Sequence, residues 1–146
     1  MQPNPWVEWI CHTNFSFLVG ASHPKELVAT AVQHGYQGLG ITDYDGVYGI
    51  ARAYRDLKKI QLSDPLATVS GNESKPPLRL FYGAEIHLAQ DHLLPISIQD
   101  TLVLLATTHR GYFQLCELLT CSHAQFGKSH AAIPMDVLMG FKRTRQ

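Results

Sequence analysis

The fold is decided by a short stretch in the first third of the chain, Leu39-Gly40-Ile41-Thr42-Asp43-Tyr44-Asp45-Gly46. Its first four residues form an apolar run, which predicts a buried strand. Two carboxylates, Asp43 and Asp45, follow directly after that strand. In proteins that alternate strands with helices, functional side chains collect at the carboxyl ends of the strands. The stretch therefore predicts an α/β fold with a candidate site near residues 43–45.

Helical patterns flank this strand on both sides. Before it, Ser22 and Pro24 are typical of a helix start, and Gly35 is typical of a helix end. After it, apolar residues recur at helical spacing from Ile50 to Ile60. Basic residues occupy other positions of that helix, at Arg52, Arg55, Lys58 and Lys59. We interpret the basic set as a solvated helix face, with phosphate contact as the alternative.

The remaining segments continue the alternation of strands and helices. Strands are predicted at 7–12, 78–82, 86–88 and 101–106, and helices near 112–119 and 134–139. The stretch from 63 to 77, rich in Ser, Asn, Gly and Pro, is typical of an exposed connection. This order favours parallel strands joined by helical crossovers. We therefore predict an α/β barrel or part of its circuit.

Length and composition favour one globular domain, since the 146 residues are 45% hydrophobic and 16% charged. Twelve Lys and Arg balance twelve Asp and Glu, so no overall positive field attracts a polyanion, and strong autonomous DNA binding is not predicted. The chain shows neither a secretory leader nor a membrane-spanning apolar run, so we expect a cytoplasmic protein without membrane contact. Three cysteines without paired spacing predict reduced thiols.

Five residues that can bind divalent cations fall at predicted strand ends: His12, Asp43, Asp45, Glu85 and His109. Imidazole and carboxylate groups bind such ions and lower the pKa of bound water, as phosphoester hydrolysis requires. Each residue also has a structural explanation. A histidine at a strand end is commonly just hydrogen-bonded, and an aspartate in a turn caps its own backbone. The residues alone leave both explanations open.

A series of motifs extends from Trp9 to Thr120. It begins with Cys11-His12-Thr13-Asn14-Phe15-Ser16-Phe17-Leu18 and Gly20-Ala21-Ser22-His23-Pro24. It continues through Gly35-Tyr36, Ile41-Thr42-Asp43, Gly46-Val47-Tyr48-Gly49, Arg52-Ala53-Tyr54, Gly83-Ala84-Glu85, Leu104-Leu105-Ala106, Gly111-Tyr112 and Leu115-Cys116. In this order the motifs resemble the PHP domain (polymerase and histidinol phosphatase superfamily) of bacterial C-family DNA polymerases, the DNA polymerase III alpha subunits, especially the error-prone type.

This resemblance implies a distorted (β/α) barrel, here partial or truncated. Active family members hold a trinuclear metal cluster for phosphoesterase or proofreading exonuclease chemistry. By the resemblance, His12 and Glu85 match retained ligand positions. Asp43 matches a motif acid beside a ligand, and His109 matches no more than a loop residue.

Three positions depart from the family pattern. Ile10 replaces a histidine two residues before His12, Tyr44 replaces the histidine that follows the Thr-Asp motif, and Val19 lies near a position that is often acidic. Because affinity depends on the number of donors, this predicts a degenerate metal site, no confident cofactor and a mainly structural role. We expect Asp43 and Glu85 to be partnered by backbone donors or basic side chains.

Alternatives remain for the site. Tyr44, Asp45 and His109 could rebuild a metal-dependent phosphoesterase or exonuclease, with zinc or manganese as the ion. Four other histidines are predicted to have surface or capping roles: His87, His92, His123 and His130.

The resemblance also implies a larger parent protein. Residues 1–146 are interpreted as a single PHP-like domain, the N-terminal portion of a larger PHP domain or polymerase. The expected partner is the remainder of a polymerase chain or a second copy of this chain, and DNA is reached only through the parent polymerase. A truncated relative that stands alone is a further alternative. Nucleotidyl transfer itself belongs to a later domain of the family.

Overall fold

The structure is a computed structural model that describes residues 6–63, 77–89, 100–126 and 131–141. Strands and helices alternate through most of these ranges, which confirms the predicted α/β class. In chain order the elements are β1 (Val7–Glu8), α1 (Pro24–His34), β2 (Gly38–Ile41), α2 (Ile50–Ser63), β3 (Arg79–Ala89), β4 (Thr101–Ala106), α3 (His109–Phe126), β5 (Ile133–Pro134) and α4 (Met135–Phe141).

The sheet has the order β1-β2-β3-β4, and β5 pairs with β3. Strands β1, β2 and β3 are parallel, with Ile41 opposite Tyr82 at the end of β2. The sheet curls into an open half-barrel, which confirms the predicted partial barrel. The parallel part places the carboxyl end of β2 beside the middle of β3.

Strand β4 departs from the predicted topology, because it runs antiparallel to β3. Its pairing extends from Tyr82 opposite Ala106 to His87 opposite Thr101. The prediction of parallel strands was wrong here for two reasons. The two short strands predicted at 78–82 and 86–88 form one continuous strand, β3. Only residues 90–100 separate β3 from β4, and a parallel crossover needs a dozen residues or more.

Two apolar clusters form the core. In the first, α1 and α2 cover β2 through Val28, Leu39, Ile41 and Ala53, all nearly inaccessible to solvent. In the second, Leu115 and other residues of α3 pack with apolar side chains of β3 and β5. All four residues of β2 are buried, as an apolar run without alternation predicts for a central parallel strand. The core therefore holds β2 and β3 rigidly at the point where the candidate site lies.

The ends of α1 lie where the sequence predicts them. Pro24 is its first residue, and Glu26 completes a capping box with His23. Gly35 follows the helix at φ 73°, a left-handed conformation that glycine adopts without steric cost. The three cysteines are free, as expected. In the described ranges no helix is long and apolar enough to cross a membrane.

Candidate functional site

Asp43, immediately after β2, is fully buried and accepts several hydrogen bonds. The amide and hydroxyl of Thr13 donate to its Oδ1 at 2.7 and 2.9 Å, and the Ser16 hydroxyl donates at 2.8 Å. The Gly49 amide donates to Oδ2 at 2.9 Å. The carboxylate thus ties the loop after β1 to the start of α2. Backbone donors were expected at this carboxylate, and hydroxyls accompany them.

Beyond Asp43 the chain continues alongside β3. The Glu85 amide donates to the Asp43 carbonyl at 3.1 Å, and the Asp45 amide donates to the Glu85 carbonyl at 2.8 Å. Asp45 has a positive φ of 48°, a conformation that aspartate tolerates better than most residues. From α3, His123 lies 2.7 Å from the Asp45 carbonyl oxygen and holds this turn in place. These contacts fix the directions of Tyr44 and Asp45 relative to β3.

Three aromatic rings stack at this end of the sheet. The Tyr44 ring lies between two imidazoles, with ring centroids 4.7 Å from His12 and 5.0 Å from His87. The interplanar angles are 10° and 24°, so all three rings are nearly parallel. We call His12, Tyr44 and His87 the ring stack.

Each imidazole of the ring stack has its own carboxylate. His12 Nε2 lies 2.8 Å from Glu85 Oε2, and His87 Nδ1 lies 2.6 Å from Asp45 Oδ2. The Thr101 hydroxyl, at the start of β4, donates to Glu85 Oε1 at 2.6 Å. The side chains of both pairs are 12–19% exposed, so the pairs are largely shielded from water. Partial burial strengthens such charge-assisted contacts relative to a surface pair.

Hydrogen bonding and burial shift the pKa of two members of the ring stack. The hydrogen bond to Asp45 raises the pKa of His87 above its ordinary value, and burial partly opposes this effect. Burial, together with the Glu85 carboxylate, raises the pKa of Tyr44. The stack therefore combines a tyrosine that is neutral at neutral pH with an imidazole, His87, whose pKa is higher than that of an ordinary histidine.

The sequence model of the PHP domain family matches residues 10–144, almost the whole chain. The chain belongs to the PHP domain family. This PHP domain is 33% identical over 133 residues to the error-prone DNA polymerase of Hahella chejuensis, covering 91% of this chain and 11% of that protein. The error-prone DNA polymerase of Bdellovibrio bacteriovorus is 30% identical over 131 residues, covering 90% of this chain and 11% of that protein. The chain thus spans about a tenth of the length of these relatives.

A solved structure shares the fold of this PHP domain. An amidohydrolase from Chromobacterium violaceum, determined with bound sulfate and without metal, superimposes with a TM-score of 0.51 at 19% sequence identity. The match covers 81% of this chain and 33% of that protein. It supports the architecture described above.

The structure does not bring His109 to the ring stack. Because β4 is antiparallel, the chain leaves Thr101 beside Glu85 and moves toward the opposite end of the sheet before α3 begins at His109. There the His109 and Phe113 rings form a T-shaped pair with a centroid distance of 5.0 Å. The expectation that His109 follows a parallel strand end near the other candidates therefore does not hold.

The residues of this PHP domain do not fit a cluster of several metal ions. His12 and Glu85 are bonded to each other, the Asp43 oxygens accept several hydrogen bonds, and the Tyr44 ring fills the space between the imidazoles. Ile10 offers no donor atom. Within the parts of the chain that the structure describes, no three His, Cys, Asp or Glu residues form a group that could hold a metal.

Sequence reasoning missed Thr101 and did not foresee the contacts of two residues that it named. Thr101 donates to Glu85 across strands, His87 pairs with Asp45, and Tyr44 stacks between two imidazoles. Part of this was visible in the sequence, since Glu85 and His87 are two residues apart and lie on one face of a strand. His92 and His130 lie outside the described residues.

The stabilising effect of His87 is expected to be present at low pH and lost at high pH. Its folded-state pKa is raised above the ordinary value of 6.5, so the folded protein binds the proton more tightly than the unfolded chain. The contribution is complete below about pH 6.5 and disappears as pH rises through the raised folded pKa.

This pH effect is measured by the Tm of the wild type and of His87→Gln across about pH 5.5 to 9. The Tm difference between the two proteins should be larger at the acidic end. A difference that stays constant or grows with pH would contradict the assignment of the proton to His87.

Proposed function

We propose that this PHP domain is the N-terminal structural module of an error-prone C-family DNA polymerase, with residues 1–146 forming one PHP-like unit. In this role it packs against the rest of the polymerase chain, which carries nucleotidyl transfer, and its own metal site is degenerate. Support comes from the error-prone polymerases that resemble it, of which it spans about a tenth. The observation that carries the proposal is the Tyr44 ring stacked between His12 and His87.

The ring stack explains why the site supports the fold. His12 Nε2 is hydrogen-bonded to Glu85 and His87 Nδ1 to Asp45, and the Tyr44 ring lies between the two imidazoles. Stacked rings and paired charges stabilise the sheet end without an ion, by packing and by charge-assisted hydrogen bonds. Tyrosine at position 44 thus converts a site of convergent donors into a packed polar cluster.

A second candidate function is a metal-dependent phosphoesterase with a rebuilt site that uses zinc or manganese. It is favoured by one observation, the presence of two imidazole–carboxylate pairs at a single end of the sheet. His109 does not contribute to such a site, because it lies at the other end of β4.

The first experiment compares Tyr44→Ala with Tyr44→Phe. Removing the ring is expected to destabilise the domain by about 2–3 kcal/mol, since both imidazoles lose their stacking partner. Keeping the ring and removing the hydroxyl should cost about 1 kcal/mol or less. Urea denaturation monitored by circular dichroism measures both differences. Equal losses in the two variants would show that the ring is not a packing element.

The second experiment measures metal content after incubation with manganese or zinc, and hydrolysis of a chromogenic phosphodiester. The structural module is expected to bind far less than one equivalent and to show no metal-dependent hydrolysis. Stoichiometric metal that is lost in both His12→Ala and Glu85→Ala, with hydrolysis that follows it, would replace the structural proposal with the phosphoesterase.

A further inference from the structure

A groove between α1 and α2 carries a concentration of positive charge away from the ring stack. Its volume is about 430 Å³, and four cationic side chains line it: Lys25 from α1, and Arg52, Arg55 and Lys59 from α2. These are four of the twelve lysines and arginines of a chain whose net charge is zero. The groove therefore has a local charge that the overall composition conceals.

The two carboxylates in the groove are already engaged. Glu26 accepts a hydrogen bond from the His23 amide at 2.7 Å as part of the helix cap. Asp56, whose side chain is 10% exposed, lies 3.5 Å from Arg55 and 3.9 Å from Lys59. The Arg55 and Lys59 side chains are 61% and 69% exposed. Glu26 is exposed to solvent, so the four cationic side chains of the groove exceed its two carboxylates by two positive charges.

The cations form a row rather than a single cluster. Arg52, Arg55 and Lys59 are spaced by three and four residues, so they follow one face of α2 over about 10 Å at the rise of an α-helix. The Arg52 guanidinium lies 5.1 Å from the centre of the Phe15 ring, which restrains it at one end of the row. The row is longer than a single phosphate group. Its length suits contacts with successive phosphates along one nucleic-acid strand.

We propose that this groove binds the phosphodiester backbone of single-stranded DNA. Cationic grooves that follow a strand are a general feature of proteins that bind single strands without reading their sequence. The contact is electrostatic and independent of base identity. It goes beyond the structural role proposed above and requires no metal ion.

The test uses fluorescence anisotropy of a labelled oligodeoxythymidylate at several salt concentrations. With four phosphate contacts, the logarithm of the binding constant should fall against the logarithm of salt with a slope of about −2.8. The double variant Lys25→Gln/Lys59→Gln should reduce the slope to about −1.4 and weaken binding about 20-fold near 0.1 M salt.

The matched control is Lys58→Gln/Arg79→Gln, which removes two exposed positive charges outside the lining of the groove. It changes the net charge equally and should keep the wild-type slope. Circular dichroism melts establish that both double variants are folded. Absence of wild-type binding at low salt, or equal weakening by the two double variants, would overturn the proposal. Its failure leaves the structural role intact, since that role is tested by Tyr44 and by metal content.

Discussion

Asp43→Ala is expected to destabilise the domain by about 3–5 kcal/mol, the largest single effect in this structure. The substitution leaves buried donors of Thr13, Ser16 and Gly49 without their acceptor. Each unsatisfied buried donor costs about 1–3 kcal/mol, and local rearrangement recovers only part of the total. At this chain length the loss corresponds to a Tm lower by roughly 10 °C.

Urea denaturation of Asp43→Ala measures this loss, and Asp136→Ala provides the matched control. Asp136 is exposed in the first turn of α4, where its charge favours the helix by about 0.3–1 kcal/mol. The control should therefore lose far less stability than Asp43→Ala. Comparable losses in the two variants would show that the Asp43 network does not hold the loop and α2 to the sheet.

Gly40→Ala is expected to have the second-largest effect, lowering the free energy of unfolding by about 3 kcal/mol. A β-carbon at Gly40 would overlap the backbone carbonyl of Trp9, which follows β1. Strand β2 cannot move away from Trp9 freely, because it is buried and pairs with β3 on its other side. The added methyl group would therefore clash with the backbone of Trp9, which packs closely against Gly40.

Gly140→Ala is the control for this steric argument. In α4, a β-carbon at Gly140 would meet no described neighbour within 4 Å. Alanine also favours a helix over glycine by about 0.5–1 kcal/mol, so this variant should be as stable as the wild type or slightly more stable. Chemical denaturation of both variants gives the comparison. A Gly40→Ala protein of wild-type stability would contradict the close approach of β1 and β2.

The boundaries of α1 and the central strand could be predicted because their signals are local. Pro24 and Gly35 mark α1 within the sequence itself, and the apolar run around Ile41 is sufficient to predict a buried strand. The direction of β4 could not be predicted in this way. It depends on the pairing of Thr101–Ala106 with β3, which is a tertiary property.

For the candidate site, the sequence predicted several of the residues but not the contacts between their side chains. His12, Asp43 and Glu85 were singled out by residue type and position, and the structure places them around the end of β2. The role of Tyr44 depends on ring contacts with His12 and His87, which residues distant in sequence supply. The cationic groove was not apparent from a net charge of zero, because only the packing of α1 on α2 brings Lys25 beside the basic row.

The direction of β4 also determines where new chemistry could be engineered. Thr101 enters β4 next to Glu85, whereas Ala106 leaves it at the other end of the sheet. Insertions just before Thr101 are therefore suited to adding a group beside the ring stack. Substitutions around His109 should alter the opposite surface and leave the stack unchanged. Design of a new activity in this scaffold would accordingly vary the segment that enters β4 and keep the segment that leaves it.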